Sequence, residues 1–320
     1  MVDVLLILDG ASEPLGTRPT ALELADTPAL DALGREGALS RLRTVASGLP
    51  PGSEAAIPAL LGWVPPAPVD RGALEAAARG IEPAPGERAW RVDAHAGSRG
   101  RAGEEDTAAA AACLAAEMPA HPVHRLGGHK LLLVGPAPLG PLPAAPGART
   151  ELRLWPEGIV PPRILDRETV VVAAVGAAAG AARLLGAAVV VPPGATGRPG
   201  TDLAAKAVAA AAAIESGVRR VVVHVGAADE AAHARDAAAK VAAIEAADRE
   251  LVAPLAAAVE AAGGSFMVCP DHGCDPATGA HDGDPVPCLR WPAPEGPHGR
   301  LTERDVAALP AVEPPIGVPA

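Results

Sequence analysis

Asp271 and His272 stand side by side in Met267-Val-Cys-Pro-Asp271-His272-Gly-Cys-Asp-Pro, and His281 follows nine residues after His272. An adjacent carboxylate and imidazole on one loop suit a borderline-hard divalent metal. Further donors are spread along the chain. Asp9 closes the apolar run Val4 to Leu8, Ser53 ends Pro51-Gly52-Ser53, and Asp229 and His233 lie four residues apart. That spacing puts both on one face of a helical turn. Asp9, Ser53, Asp229, His233, Asp271, His272 and His281 are more oxygen and nitrogen donors than one ion needs. They fit a pair of ions that clamp the entering and leaving oxygens of a displacement. Ser53 on one ion would lose its proton readily and serve as nucleophile. Each member also has a plain reading: Ser53 as a helix N-cap, and a strand-end Asp as a turn residue. His224 sits inside a strand, reads as a packed histidine, and stays outside the set.

The elements that must hold these residues follow an α/β rhythm. Val4 to Leu8, Val170-Val-Val-Ala, Ala188 to Val191, Arg220 to Val225 and Ser265 to Val268 read as strands. Unbroken apolar runs suit central parallel strands covered on both faces. Helices are expected from Thr27-Pro28 (Thr27 as cap), from Ser53, from Ala177 to Leu185, from Thr201 or Asp202 to Ser216, and from Ala237 to Ala262. The fold class is α/β: a doubly wound, mostly parallel sheet with helices on both faces. Function in such sheets gathers at the carboxyl ends of the strands. Between Val64 and Arg163 the texture changes to Pro-rich joints, an Ala-rich helix from Thr107 to Glu117, the strand Lys130 to Val134, and ten arginines that include Arg99 and Arg149. This segment reads as a smaller inserted α+β domain, giving a core of 1–66 with 164–320 and a cap of 67–163. Most of its arginines read as solvated surface.

With 320 residues, about half of them apolar, the chain can bury a sizeable core. That core has no Tyr and one Phe, so Ala, Val and Leu must fill it. A net charge of −11 excludes wholesale nucleic-acid binding. Cysteines 113, 269, 274 and 288 show no CxxC spacing, which argues against a zinc knuckle or disulfide framework. The amino-terminal stretch lacks a basic n-region, and no run of twenty residues suits a bilayer. The expectation is a soluble, cytoplasmic protein with no membrane or nucleic-acid partner; the sequence does not settle its oligomeric state. There are three lysines, Lys130, Lys206 and Lys240, and their scarcity marks each of them.

The ordered motifs resemble those of the archaeal-type, cofactor-independent (2,3-bisphosphoglycerate-independent) phosphoglycerate mutases of the alkaline phosphatase superfamily. They are Asp9-Gly10, Thr20 to Ala25, Thr27 to Asp31, Pro51-Gly-Ser53, Leu60 to Trp63, Arg71 to Ala76, Pro193 to Gly197, Gly200-Thr-Asp202 with Lys206, Val223-His-Val, Asp229-Glu with His233, Lys240 to Glu245, Pro270-Asp-His272, and His281 with Asp284 to Pro287. The resemblance runs over nearly the whole chain. It implies that Asp9, Ser53, Asp271 and His272 hold one divalent ion, and that Asp229, His233 and His281 hold the other. The ions would be Mn²⁺ or Mg²⁺, with Zn²⁺ or Co²⁺ as further candidates. The loop from Asp271 to His281 then bridges two metals. Ser53 would take the phosphoryl group of 2- or 3-phosphoglycerate and return it to the other hydroxyl.

The sequence departs from that family where substrate is gripped. Glu54-Ala55 follow the serine, Ala11-Ser12-Glu13 follow Asp9-Gly10, Gly128-His129-Lys130 precede the cap strand, and the insertion is short. A mutase must hold the dephosphorylated acid while excluding water, a task for basic side chains. Lys206 is the first candidate, assigned with Ser53 to catalysis, and Arg91, Arg125, His129 and Lys130 are the substrate-binding candidates. The substrate would be a small phosphorylated carboxylate. The alternative is a divergent member acting as mutase or phosphohydrolase on another phosphorylated or phosphonylated carboxylate, in phosphonate or phosphinate natural-product biosynthesis.

Overall fold

The computed structural model describes residues 1–97, 100–144 and 150–314, so Arg99 and Arg149 lie outside the described residues. The chain divides into two compact units, Met1–Pro66 with Pro161–Ala320, and Ala67–Val160. In chain order the strands are β1 (Asp3–Leu8), β2 (Ala38–Leu42), β3 (Glu87–His95), β4 (Val123–Gly127), β5 (Lys130–Pro136), β6 (Glu151–Leu154), β7 (Thr169–Val172), β8 (Ala188–Val190), β9 (Arg220–Val225), β10 (Ser265–Cys269), β11 (Gly273–Asp275), β12 (Ala280–Asp282), β13 (Val286–Trp291) and β14 (Ala311–Val312).

The first unit is built on a sheet ordered β14-β2-β13-β10-β1-β9-β7-β8. β1 pairs parallel with both β10 and β9, β9 with β7 and β7 with β8, while β13 alone runs against its neighbours β10 and β2. The apolar runs explain the centre. Val4, Leu6 and Leu8 share one core with Val221, Val223 and Val225, and with Leu203, Ala207, Leu255 and Val259 of helices Leu203–Glu215 and Ala253–Ala261. Leu5, Ile7 and Val222, which alternation sends to the opposite face, are just as buried. A strand buried on both sides has no use for a polar position until it ends. Leu8 is level with Val225 and Ile7 with Cys269, so Asp9, the helix Ala227–His233 and Asp271 leave the sheet along one edge.

Local details differ from the sequence reading. Thr27 makes no side-chain cap; the carboxylate of Asp248 accepts from Ala29 and Leu30 N–H, at 3.0 and 2.8 Å, and caps that helix from elsewhere in the chain. Asp248 opens a π-helical turn, Asp248–Val252, that interrupts the expected Ala237 to Ala262 helix. Asp202, rather than Thr201, caps the helix that carries Lys206.

The second unit is an antiparallel sheet, β4-β5-β3-β6. Trp90, Val92 and Ala94 of β3 pack with Ala110 and Leu114 of helix Glu104–Glu117, and Ala89 packs with Ala76 of helix Arg71–Ala78. Alternation therefore puts Arg91 and Asp93 on the same face as Ala89, beside Glu75. Arg91 is 2% exposed and donates to Glu75 Oε1 at 2.6 Å and Asp93 Oδ1 at 2.5 Å. This corrects the expectation that Arg91 is a substrate clamp: its guanidinium is committed inside the unit. Burial alone would raise the Glu75 carboxyl, but Arg71, Arg91 and Arg79 hold it below its ordinary value. Its contribution is therefore present at neutral pH and is lost as pH falls below the ordinary carboxylate range. Arg91→Ala leaves two buried carboxylates without their shared partner, and should cost about 3–5 kcal/mol in urea unfolding of the full chain.

Candidate metal centre

Two groups of donors form at the strand ends of the first unit. Asp9, Asp271 and His272 make one; Asp229, His233, Cys274 and His281 make the other, and within each group the ligand atoms lie within 4.8 Å of one another. The groups abut, with the rings of His272 and His281 4.1 Å apart. Ser53 belongs beside the first. It is the opening residue of helix Ser53–Leu60, with Gly52 as the cap, so its hydroxyl is not spent on capping. Instead Ser53 Oγ lies 3.2 and 3.3 Å from the two Asp9 oxygens and 3.3 Å from His272 Nε2.

The imidazoles show what the second group is built to bind. His233 Nδ1 faces the Gly279 carbonyl at 3.0 Å, and His281 Nδ1 faces the Pro51 carbonyl at 3.2 Å. A carbonyl only accepts, so each Nδ1 carries the proton and each Nε2 presents a lone pair. Those two Nε2 atoms meet at 2.9 Å, with Asp229 oxygens 3.3 and 3.2 Å away. His272 repeats the pattern, with Nδ1 on the Gly273 carbonyl at 3.1 Å. Converging lone pairs and carboxylates repel one another unless a cation sits among them. Asp229 Oδ1 and Asp271 Oδ2 are also buried without a hydrogen bond, as atoms reserved for a ligand would be.

Several groups of the cluster hold protons that a bound cation would displace. Against burial, hydrogen bonds and charge from His224 and His272 hold the Asp9 carboxyl well below its usual range. Burial and the Asp9 charge push Asp271 up to about 6. Burial would lower the His272 imidazole, but Asp271, Asp9 and Asp229 hold it well above its ordinary value. Burial and the Asp229 carboxylate push the Cys274 thiol up from its ordinary value. The donor set thus fits divalent cations. Adding Mn²⁺ to chelator-treated protein should raise the melting temperature, by about 2.7 kcal/mol of stability per site at a hundredfold excess over Kd. Scanning calorimetry with and without the ion checks this.

Three residues stand elsewhere than expected, or were missed. His224 is no bystander: its Nε2 lies 3.0 Å from Asp9 Oδ2. β9 carries it level with Ile7, one step short of the sheet edge, where a strand residue can still reach the site. Its place as the penultimate residue of its strand was the available signal. His224→Ala should loosen Asp9 and weaken cation binding by ~10–100-fold in calorimetric titration. Lys206 is entirely buried and donates to the His224 carbonyl at 2.5 Å; burial, opposed by Asp9, pushes it down to about 8. The expectation that it grips substrate gives way to one in which it supports β9 beneath Asp9. Lys240 is equally buried, bonded to the carbonyls of Ser12 and Cys274 and paired with Glu13, and so ties the loop after Asp9 to the loop after His272.

In the second unit a cleft of ≈ 390 Å³ is lined by Asp93, His95, Arg101, His129, Arg153 and Trp155, among others. Of the substrate candidates only His129 lines it, 3.5 Å from Asp93. Arg125 pairs with Glu104 on the surface, and Lys130 is half-buried at the start of β5. Among the described residues, no helix is long and apolar enough to cross a membrane.

A mostly parallel sheet whose strand ends gather two carboxylate–imidazole groups defines a metal-dependent enzyme class. The chain belongs to the metalloenzyme superfamily, whose model matches residues 1–306. It is 30% identical to the 2,3-bisphosphoglycerate-independent phosphoglycerate mutase of Ignicoccus hospitalis across 370 aligned positions, covering 90% of this chain and 88% of that protein, and shares its family. A protein of Pyrococcus horikoshii has the same fold (TM-score 0.77, 24% identity, 98% of this chain and 93% of that one). So does the cofactor-independent phosphoglycerate mutase of Thermoplasma acidophilum (TM-score 0.58, 16% identity, 97% and 96%).

Proposed function

We propose that the chain interconverts 2-phosphoglycerate and 3-phosphoglycerate by metal-dependent phosphoryl transfer through a phosphoserine at Ser53. The observation that carries this is the Ser53 hydroxyl, held by Asp9 and His272 at the start of a helix and beside two cation-binding groups. Divalent cations on those donors supply charge neutralisation and lower the hydroxyl's pKa. The chain does the rest. Asp9 orients the Oγ at the amino end of helix Ser53–Leu60, where the helix dipole favours the arriving phosphoryl charge. The phosphoryl group leaves a substrate oxygen for Ser53 Oγ as the serine gives up its proton and the freed substrate oxygen takes one up; after the acid turns, the second hydroxyl gives up its proton and reclaims the phosphoryl group, and Ser53 Oγ regains a proton. Arg101 and Arg153 are the cations lining the cleft of the second unit that suit a carboxylate.

One observation favours a second reading. Arg91 is withdrawn into an ion network with Glu75 and Asp93, which leaves fewer cations to retain a dephosphorylated acid. A phosphohydrolase needs less retention, and a mutase of another phosphorylated or phosphonylated carboxylate would hold its acid with a different set of side chains. Metal-loaded protein incubated with 3-phosphoglycerate separates the two. Formation of 2-phosphoglycerate without free phosphate supports the mutase. Phosphate release alone, or turnover only of a phosphonate analogue, supports the other reading.

A further inference from the structure

We infer that Cys274 is a fourth protein ligand of the Asp229/His233/His281 site, and that its sulfur makes this site prefer a zinc-class cation, Zn²⁺ or Co²⁺, over Mn²⁺ or Mg²⁺. The inference rests on the reading of these residues as a metal centre and names the metal class of one half of it.

The placement comes from backbone pairing. β11 and β12 form a two-stranded antiparallel sheet in which Cys274 lies directly opposite His281. Directly opposed residues send their side chains to the same face, with Cβ atoms about 4.5–5.5 Å apart. That face looks onto the helix carrying Asp229 and His233, and the four ligand atoms fall within 4.8 Å of one another. Cys274 is fixed on both sides of its backbone: its N–H donates to the Ser12 carbonyl at 2.9 Å, and its carbonyl accepts from Lys240 Nζ at 2.7 Å. The residue is 0% exposed, so the sulfur has no water to serve.

The chemistry of the two groups then differs. The Asp9, Ser53, Asp271 and His272 group offers three oxygen-bearing side chains and one imidazole, which suits a hard cation. The other offers one carboxylate, two imidazoles and a sulfur. Thiolate selects softer ions, and two nitrogens with a sulfur and a carboxylate are a zinc-type donor set. On binding, the S–H bond breaks, the sulfur's electron pair goes to the cation, and the proton leaves to solvent; no oxidant or reductant takes part. Cys269 and Cys288 lie on β10 and β13 and belong to neither group.

The test is the electronic spectrum of chelator-stripped full-length protein titrated with Co²⁺. A thiolate-to-cobalt charge-transfer band in the near ultraviolet is expected in the wild type, and Cys274→Ser should lose it while still binding Co²⁺ with visible d–d bands. Zn²⁺ affinity in competition with Mn²⁺ should fall in Cys274→Ser by at least the ~10–100-fold that loss of an outer-shell partner costs. If two Co²⁺ bind the wild type and no thiolate band appears, or the band survives in Cys274→Ser, the sulfur assignment is overturned while the metal centre stands. If no divalent ion binds the wild type, the centre and the proposed function fail together. The wild-type spectrum decides the matter even if the variant does not fold.

Discussion

Ser53→Ala is expected to fold, to keep binding cations through Asp9, Asp271 and His272 and the second group though with one oxygen donor fewer, and to lose turnover by on the order of 10⁴–10⁶, the scale on which removing a serine nucleophile acts. The two halves of this expectation have separate physical grounds. Stability should hold because the hydroxyl is only partly buried and its partners lie 3.2–3.3 Å away, the long end of the hydrogen-bond range. Asp9 keeps His224 as a partner, and alanine is at least as good a helix former at this position. The net cost is about 1 kcal/mol or less. Turnover should collapse because no other hydroxyl on the loop can take the serine's place: Gly52 precedes it, and Glu54, Ala55 and Ala56 follow. Circular dichroism and calorimetric Mn²⁺ titration check the first half. A coupled assay of 3-phosphoglycerate consumption, with intact-mass detection of a phosphorylated wild-type chain absent from the variant, checks the second. Turnover retained in Ser53→Ala would refute the nucleophile assignment.

The central sheet was legible because its strands are buried on both faces, so that β1, β9 and β10 read as mostly apolar runs that end just before Asp9, Gly226 and Pro270-Asp271. The other side of the sheet was not. β2 is Ala-Leu-Ser-Arg-Leu with Ala38, Ser40 and Arg41 half-buried, and β14 is two exposed residues. Neither carries a periodicity that competes with a loop. The donors at strand ends could be collected because a polar residue after an apolar run is conspicuous. Donors inside regular pairing could not. His224 is hidden by the valines around it, and Cys274 takes its place by standing opposite His281 in a hairpin whose register no local pattern announces. The scarcity of lysine did single out Lys206 and Lys240, but for a reason other than substrate binding: both are fully buried and bond backbone carbonyls near the site. Arg91 teaches the same lesson from the cap. Charge in a sequence looks like charge available to a ligand, and only the face of β3 on which it lies shows that Glu75 and Asp93 have already claimed it.

Gly10→Ala should dismantle both halves of the centre at once. Gly10 has φ +61, and a Cβ there would lie 2.6 Å from Asp229 Oδ1, 2.7 Å from Asp229 Cβ and 2.9 Å from Asp229 Cα. Turning a side chain would relieve the first of these clashes. The clash with the Asp229 backbone has no such relief, so the helix Ala227–His233 must move and take His233 with it. The same residue's N–H donates to Asp271 Oδ1 at 3.0 Å, so a shift of the Gly10 backbone reaches the other donor group as well. A misplacement of about 1 Å costs about 10²-fold in rate, and here the misplaced groups are the cation donors themselves. The expected result is a loss of turnover of at least that size and a melting temperature that no longer responds to added Mn²⁺. The backbone penalty for alanine at positive φ, roughly 1–2 kcal/mol, must be separated from this, and Gly263 provides the control. It has φ +60 with nothing within 4 Å of its would-be Cβ. Gly263→Ala should lose the same stability and keep both turnover and the Mn²⁺ response. If the two variants behave alike, Gly10 is tuned only for its turn; if only Gly10→Ala loses the metal response, the bare backbone at Gly10 is what lets the Asp229 carboxylate stand close enough to Asp9 and Asp271 for the two donor groups to act as one centre.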